Sequence, residues 1–251
     1  MASHPYLDHP GILAFAHRGD SQAAPENTLA AFRSAHDLGF RYFETDVHLS
    51  KDGVLLAFHD HKLDRVTDSC GLISKLDHGQ IKQAKVGGTD PIPTLSELLE
   101  EFPHTRINIE PKSDDAVRPL IDLIKATKSI DRVCMGSFNG RRIQQIRQAL
   151  PNACTSMGPR ETLWARLGSL GLPAPELTAH CAQVPTHFLG VPVADTRFIQ
   201  HLHELGMQTH IWTVNEESEM HRLLDAGATG LMTDRPAMLR SVLEARGQWS
   251  A

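Results

Sequence analysis

Four short clusters in this 251-residue chain hold side chains with chemistry to offer: His17-Arg18-Gly19, Glu44-Thr45-Asp46, His59-Asp60 and Glu110-Pro111-Lys112. Residues two apart on an extended strand point to the same face, so Glu44 and Asp46 project together, as do Glu110 and Lys112. Buried carboxylates need a cation. Arg18 and Lys112 can supply one, and three acids (Glu44, Asp46, Glu110) also suit a hard divalent ion such as Mg2+ or Ca2+. No Cys or His pair stands at zinc spacing, which favours oxygen ligation. A histidine with a pKa near 6.5 can give or take a proton close to neutral pH.

Each cluster also has a plainer reading. A single His at a strand end is commonly structural, and Glu44 and Asp46 can belong to a solvated strand face. Trp212 is either core or a wall of the substrate site. Asn215 and Asp234 each precede a helix and read as caps, capping being the favoured role for Asp234. Glu26-Asn27-Thr28 reads as a helix entry. Of the fifteen histidines, His48, His61, His78, His201 and His221 read as unremarkable.

The elements that must position these groups alternate. Apolar runs at 11–17, 41–49, 106–110, 133–138, 153–157, 180–184, 208–214 and 230–233 read as strands. Amphipathic stretches at 26–38, 95–102, 117–127, 141–150, 196–205, 216–226 and 236–245 read as helices, with a short, weak one at 164–170. Ser50-Lys51-Asp52-Gly53 turns the second strand into a hairpin over 54–59, and 187–191 is a less certain strand-loop. From about 60 to 90 the pattern loosens into polar, glycine-containing sequence, an insertion with one or two short helices. Eight strands alternating with helices predict a parallel (β/α)8 barrel as one domain over 1–251, with a small insertion after the second strand region at about 61–91. An open doubly wound sheet is the alternative, disfavoured because no GxGxxG follows the first strand. In a barrel the clusters above fall at the C-terminal rim, where active sites sit.

Bulk properties narrow the partners. Twenty-five basic against thirty acidic residues give a net charge of −5, with no basic run, which argues against nucleic acid. Cys70, Cys134, Cys154 and Cys181 are scattered and read as buried thiols. The start of the chain, Met1 to Tyr6, lacks a leader's basic and apolar pattern, and no run approaches a membrane span, so a cytoplasmic protein without stable membrane anchoring is expected.

Together the motifs resemble the glycerophosphodiester phosphodiesterases. The match runs from about Leu13 to Met238 and rests on nine motifs in order: His17-Arg18-Gly19, Pro25-Glu26-Asn27-Thr28, Glu44-Thr45-Asp46-Val47, Lys51-Asp52-Gly53, His59-Asp60, Glu110-Pro111-Lys112, Ser137-Phe138, Trp212-Thr213-Val214-Asn215 and Thr233-Asp234-Arg235-Pro236. The departures, Ser50 before Lys-Asp-Gly and Pro111 inside Glu-x-Lys, remove no functional group. The resemblance implies a (β/α)8 barrel, His17 and His59 as catalytic acid and base, and Glu44, Asp46 and Glu110 around one divalent cation. It implies Arg18 and Lys112 on the phosphate, and Trp212 on the substrate. The expected reaction is hydrolysis of a small glycerophosphodiester to glycerol 3-phosphate and an alcohol such as choline or ethanolamine. Water or the adjacent glycerol hydroxyl is the nucleophile, the latter giving a cyclic phosphate, and which His is the acid stays open. A lysophospholipase D-like activity is the alternative; it needs an apolar surface at the rim, and the polar 60–90 segment argues against it. A barrel that binds a phosphodiester without cleaving it is the non-enzyme reading, which the full set of site residues disfavours.

Overall fold

The structure is a computed structural model that describes residues 4–250. Met1 to Ser3, part of the segment read above for a leader, lie outside the described residues.

The elements in order are β1 (Leu13–His17), α1 (Leu29–Asp37), β2 (Tyr42–Leu49), β3 (Leu55–Ala57), α2 (His78–Ile81), β4 (Lys85–Val86) and β5 (Asp90–Pro91). There follow α3 (Leu95–Glu101), β6 (Arg106–Pro111), α4 (Val117–Thr127), β7 (Val133–Met135), α5 (Gly140–Ala149), β8 (Cys154–Thr155) and α6 (Pro159–Ser169). The chain ends with β9 (Cys181–Pro185), β10 (His187–Phe188), β11 (Val191–Pro192), α7 (Thr196–Glu204), β12 (Gln208–Trp212), α8 (Glu217–Asp225), β13 (Gly230–Thr233) and α9 (Pro236–Ala245).

Eight parallel strands run in the order β8-β7-β6-β2-β1-β13-β12-β9. The ring closes between β8 and β9 through a single bridge, Ser156 to Cys181, flanked by the amide of Met157 donating to Cys181 O (2.9 Å) and that of His180 to Thr155 O (3.0 Å). This is a nearly closed (β/α)8 barrel, so the open-sheet alternative falls. The helices cover its outer face because their apolar residues repeat at helical spacing. In α4 Val117, Leu120, Ile121 and Ile124 are buried, each contributing about 1.5–3 kcal/mol.

Most expected elements are present with ends moved by a residue or two. Three differ more. Helix α1 starts at Leu29 rather than 26, because Thr28 caps it, accepting from Ala31 N, and leaves Glu26 and Asn27 in the loop. Helix α6 is eleven residues, not a short turn: Pro159 opens it, and Glu161 accepts the Gly158 amide at 2.9 Å. The 187–191 segment is a two-stranded hairpin of its own, outside the barrel.

The stretch from His61 to Pro91 folds into short turns, α2 and the β4–β5 pair over a small apolar centre of Leu56, Phe58, Leu63, Ile73, Ile81, Ala84, Val86 and Ile92. At the opposite end a 3-10 turn, Pro5–Leu7, plugs the floor: Tyr42 donates to Tyr6 O (2.9 Å) and Gln208 to Leu7 O (3.0 Å). Among the described residues no helix is long and apolar enough to cross a membrane.

Candidate active site

Strands β1, β2, β6, β12 and β13 deliver their last inward residues to one rim, and the predicted groups meet there. His17 stands beside Glu44 in the β1–β2 register, and Asp46 beside Glu110 in that of β2 and β6. Glu44 and Asp46 are buried. Lys112 Nζ sits between Asp46 Oδ1 (2.7 Å) and Glu110 Oε2 (2.8 Å). Arg18 reaches Glu26 Oε1 (3.1 Å) and Asp46 Oδ2 (3.3 Å). A cleft of about 480 Å3 opens here, lined in part by His17, Arg18, Glu26, Asn215 and Asp234.

The loop between β1 and α1 explains its own sequence. Arg18 and Asn27 both have left-handed backbones (φ 58° and 57°), and the Asn27 amide donates to Arg18 O at 2.9 Å. Asn27 Oδ1 accepts from Thr45 Oγ1 (2.8 Å), tying the loop to β2 under the arginine. Gly19 (φ 82°) packs so close to α1 that a Cβ there would lie 2.7 Å from the Ala31 backbone. Glu26 does not merely enter the helix: it holds Arg18 and also Arg65 from the insertion (2.7 Å).

His17 is gripped on both sides. Its Nδ1 is 2.6 Å from Asp234 Oδ1 and its Nε2 is 3.6 Å from Glu44 Oε2. Burial works against a charged ring, but Glu44 and the Asp234 hydrogen bond outweigh it, so the His17 pKa is raised. Asp234 was expected as a helix cap, and that expectation is corrected: α9 is capped at Arg235 without a side-chain bond, and Asp234 is committed to His17. Asn215 likewise is not the cap of α8. It donates to Asp234 Oδ2 (2.7 Å) and accepts the Asp234 amide (2.9 Å), fixing the carboxylate. Besides their place in two of the nine motifs, the sequence offered a polar residue at the end of each of two adjacent strands, which a cap explains equally well.

His59 follows β3, across the rim. Its Nδ1 lies 2.6 Å from Asp60 Oδ1, and Arg65 clamps both Asp60 oxygens. Arg65 is the main reason the Asp60 carboxyl is lowered to about 2. His48, read as unremarkable, is buried and supports this arm, donating from Nε2 to His59 O at 3.0 Å; burial lowers its pKa to about 4. Neither His48 nor Arg65 was singled out from sequence.

Trp212 is partly buried at the end of β12, edge-on to the exposed Phe138 ring at 5.6 Å. The adjacent β10–β11 hairpin exposes Phe188, Leu189 and Val191. The rim therefore has an apolar side, contributed by 187–192 and Phe138 rather than by the 60–90 segment.

The donor set fits a hard divalent cation. Glu44 Oε2 and Asp46 Oδ2 are buried with no hydrogen-bond partner among the described residues, and burial followed by the Asp46 charge raises Glu44 to about 7. Lys112 and Arg18 stand beside Asp46 and the His17 ring beside Glu44, yet burial and the mutual repulsion of the two acids outweigh these cations at Glu44. The three carboxylates have not converged, since Lys112 divides Asp46 from Glu110 and the oxygens of Glu44, Asp46 and Glu110 are not all within 4.8 Å of one another.

Fold and rim together define a barrel enzyme with histidines, acids and fixed cations gathered at one end. The glycerophosphoryl diester phosphodiesterase family matches residues 17–238, and the chain belongs to it. It is 38% identical to a probable glycerophosphodiester phosphodiesterase 2 of Mycobacterium tuberculosis, over 97% of this chain and 95% of that one. It is 30% identical to a lysophospholipase D of Rattus norvegicus, covering 91% and 85%. A phosphodiesterase of Oleispira antarctica, solved in complex with the product sn-glycerol-3-phosphate, superposes with a TM-score of 0.79 at 26% identity over 93% of this chain and 97% of that one.

Proposed function

We propose that the chain, acting as one barrel domain, hydrolyses glycerophosphodiesters to glycerol 3-phosphate and an alcohol, with His17 and His59 dividing the proton transfers. The observation that carries this reading is the double grip on His17. The carboxylates on either side of the ring raise its pKa and so favour its protonated form, which suits it to the leaving alkoxide. His59 suits the complementary role. With its Nδ1 engaged by Asp60, its Nε2 is left to take the nucleophile's proton.

Arg18, fixed by Glu26, offers charge-assisted hydrogen bonds to a phosphate oxygen, and Lys112 adds a point charge from the floor of the site. Glu44, Asp46 and Glu110 would hold one divalent cation, Mg2+ or Ca2+, which when bound neutralises phosphoryl charge. Trp212 walls the substrate side.

A second reading has a specific observation behind it. Phe138, Phe188, Leu189 and Val191 give the rim an exposed apolar flank beside Trp212, a surface suited to the acyl chain of a lysophospholipid. The lysophospholipase D relative accords with it.

The test is release of glycerol 3-phosphate from glycerophosphocholine by the purified chain, with EDTA, Mg2+ or Ca2+ in turn and with His17→Ala as control. Release that EDTA stops, one metal restores and the variant lacks supports the first reading. Activity confined to lysophosphatidylcholine favours the second, and no release from either substrate sinks both.

A further inference from the structure

A second cluster lies at the other end of the barrel. Cys134 of β7, Cys154 of β8 and Cys181 of β9 are buried, and their sulfurs all lie within 4.8 Å of one another, Cys134 and Cys181 at 3.9 Å. Metal–thiolate bonds of about 2.3 Å put sulfurs of one centre about 3.8–4.0 Å apart, whereas a disulfide needs about 2 Å. The spacing excludes a disulfide and is compact enough for three thiolates to reach one metal ion.

The surroundings are not those of an ordinary barrel floor, where branched aliphatic side chains fill the layer. Tyr6, wholly buried in the same packed group, points a hydroxyl with no hydrogen-bond partner among the described residues. His210 packs against Cys181, while its nitrogens also contact Gln208 Oε1 (3.1 Å) and Gln183 Nε2 (3.5 Å), so three sulfurs form the donor set and His210 stands beside it.

The position in the fold is specific. Cys134 and Cys154 stand on one side of the barrel's closing seam and Cys181 on the other, and Cys181 is the residue that makes the lone β8–β9 bridge. We propose that Cys134, Cys154 and Cys181 hold a thiophilic d10 cation, Zn2+ or Cu+, that clips this seam. Binding forms three metal–sulfur bonds and releases the thiol protons to solvent, with no change of oxidation state. The site is separate in place and chemistry from the carboxylates at the rim, and it stands whether or not the reading of that rim does.

The full chain, produced under reducing conditions with Zn2+ or Cu+ supplied in separate cultures, is dialysed against EDTA and its metal content measured. A parallel sample is refolded with Co2+. The expected result is one equivalent of Zn2+ or Cu+ per chain left after EDTA, the two supplies telling which, and a thiolate-to-cobalt charge-transfer band that rim carboxylates cannot give. Cys154→Ser should lose both signals, and Cys70→Ser, at the exposed thiol, should keep them. Wild-type protein with neither retained metal nor the band overturns the proposal, as does a full-strength band in Cys154→Ser. Should Cys154→Ser not fold, the wild-type and Cys70→Ser spectra decide alone.

Discussion

Asp234 Oδ1 lies 2.6 Å from Nδ1 of His17, while the other nitrogen of that ring faces Glu44 at 3.6 Å. Adjacent strands bring this about, since Ala16 pairs with Thr233 and His17 with Glu44, so Asp234 just past β13 and Glu44 within β2 flank the residue that ends β1. Asp234 orients the ring and favours its charged form, and Asn215 keeps Asp234 from turning away.

Asp234→Asn should therefore lower kcat by about 10²–10⁴-fold, the range for losing the carboxylate that orients a catalytic histidine. The limb of the pH–rate profile that reports His17 should move to lower pH, because one of the groups raising its pKa is gone. Asn215→Ala should shift the same limb by less. A profile unmoved by Asp234→Asn would sink the orienting role.

The same pair makes a stability prediction with a defined window. The raised His17 pKa contributes stability that is full below its ordinary 6.5 and fades as pH rises through the folded value. The lowered Asp234 pKa contributes stability present above 3.8 and lost as pH falls through the folded value. Urea denaturation of wild type and Asp234→Asn should thus differ most between about pH 4 and 6.5, by about 1–2 kcal/mol, and converge on either side.

How far the site was legible follows from which links are local. His17, Glu44, Asp46 and Glu110 were readable because strand alternation fixes their face and a barrel fixes their end. The partnership of His17 with Asp234 spans most of the chain, and a polar residue before a helix is equally a cap, so sequence favoured the wrong one. Arg65 was missed because its contacts depend on how the irregular 60–90 segment folds back, which no periodicity encodes, and His48 because its bond goes to a backbone carbonyl beyond β3, which no side-chain motif marks. Cys70 was grouped with the buried thiols but is exposed, and the convergence of the other three needed the strand order around the ring.

Gly19→Ala tests the close approach beneath Arg18. A left-handed φ of 82° disfavours any side chain, and the new Cβ would meet α1 backbone at 2.7–2.9 Å, where nothing flexible can yield. The expected cost is about 2–4 kcal/mol in denaturant midpoint analysis, with kcat also reduced as the Arg18 loop is displaced. Gly53→Ala, equally left-handed (φ 87°) but with open space around it, should cost about 1–2 kcal/mol, isolating the contact from the backbone strain.

Glu44→Gln addresses the cation. Because burial and Asp46 raise the Glu44 pKa to about 7, a cation binding there must displace a proton at lower pH. Isothermal titration with Mg2+ and Ca2+ should show wild-type affinity rising from pH 5.5 towards about 7 and then levelling. The variant should bind at least roughly 10–100-fold more weakly and lose that slope. Without added cation the sign for stability reverses the usual carboxylate case: the contribution of Glu44 is full below 4.5 and lost as pH rises through about 7. Wild type should accordingly gain more from added cation at pH 8 than at pH 5.

The apolar flank separates the two substrate readings. Leu189 is 89% exposed at the tip of the β10–β11 hairpin and Phe188 58%, so replacing them removes little from the core and costs within about 0.5 kcal/mol of stability. Leu189→Ser with Phe188→Ser should leave glycerophosphocholine turnover unchanged, since the leaving alcohol of that substrate is small and polar. With lysophosphatidylcholine the same double variant should raise KM about tenfold or more, as exposed apolar area that an acyl chain covers is worth about 25 cal/mol per Å2. Equal effects on both substrates would mean that the hairpin acts through the shape of the rim, and no effect on either would leave the acyl chain without this surface.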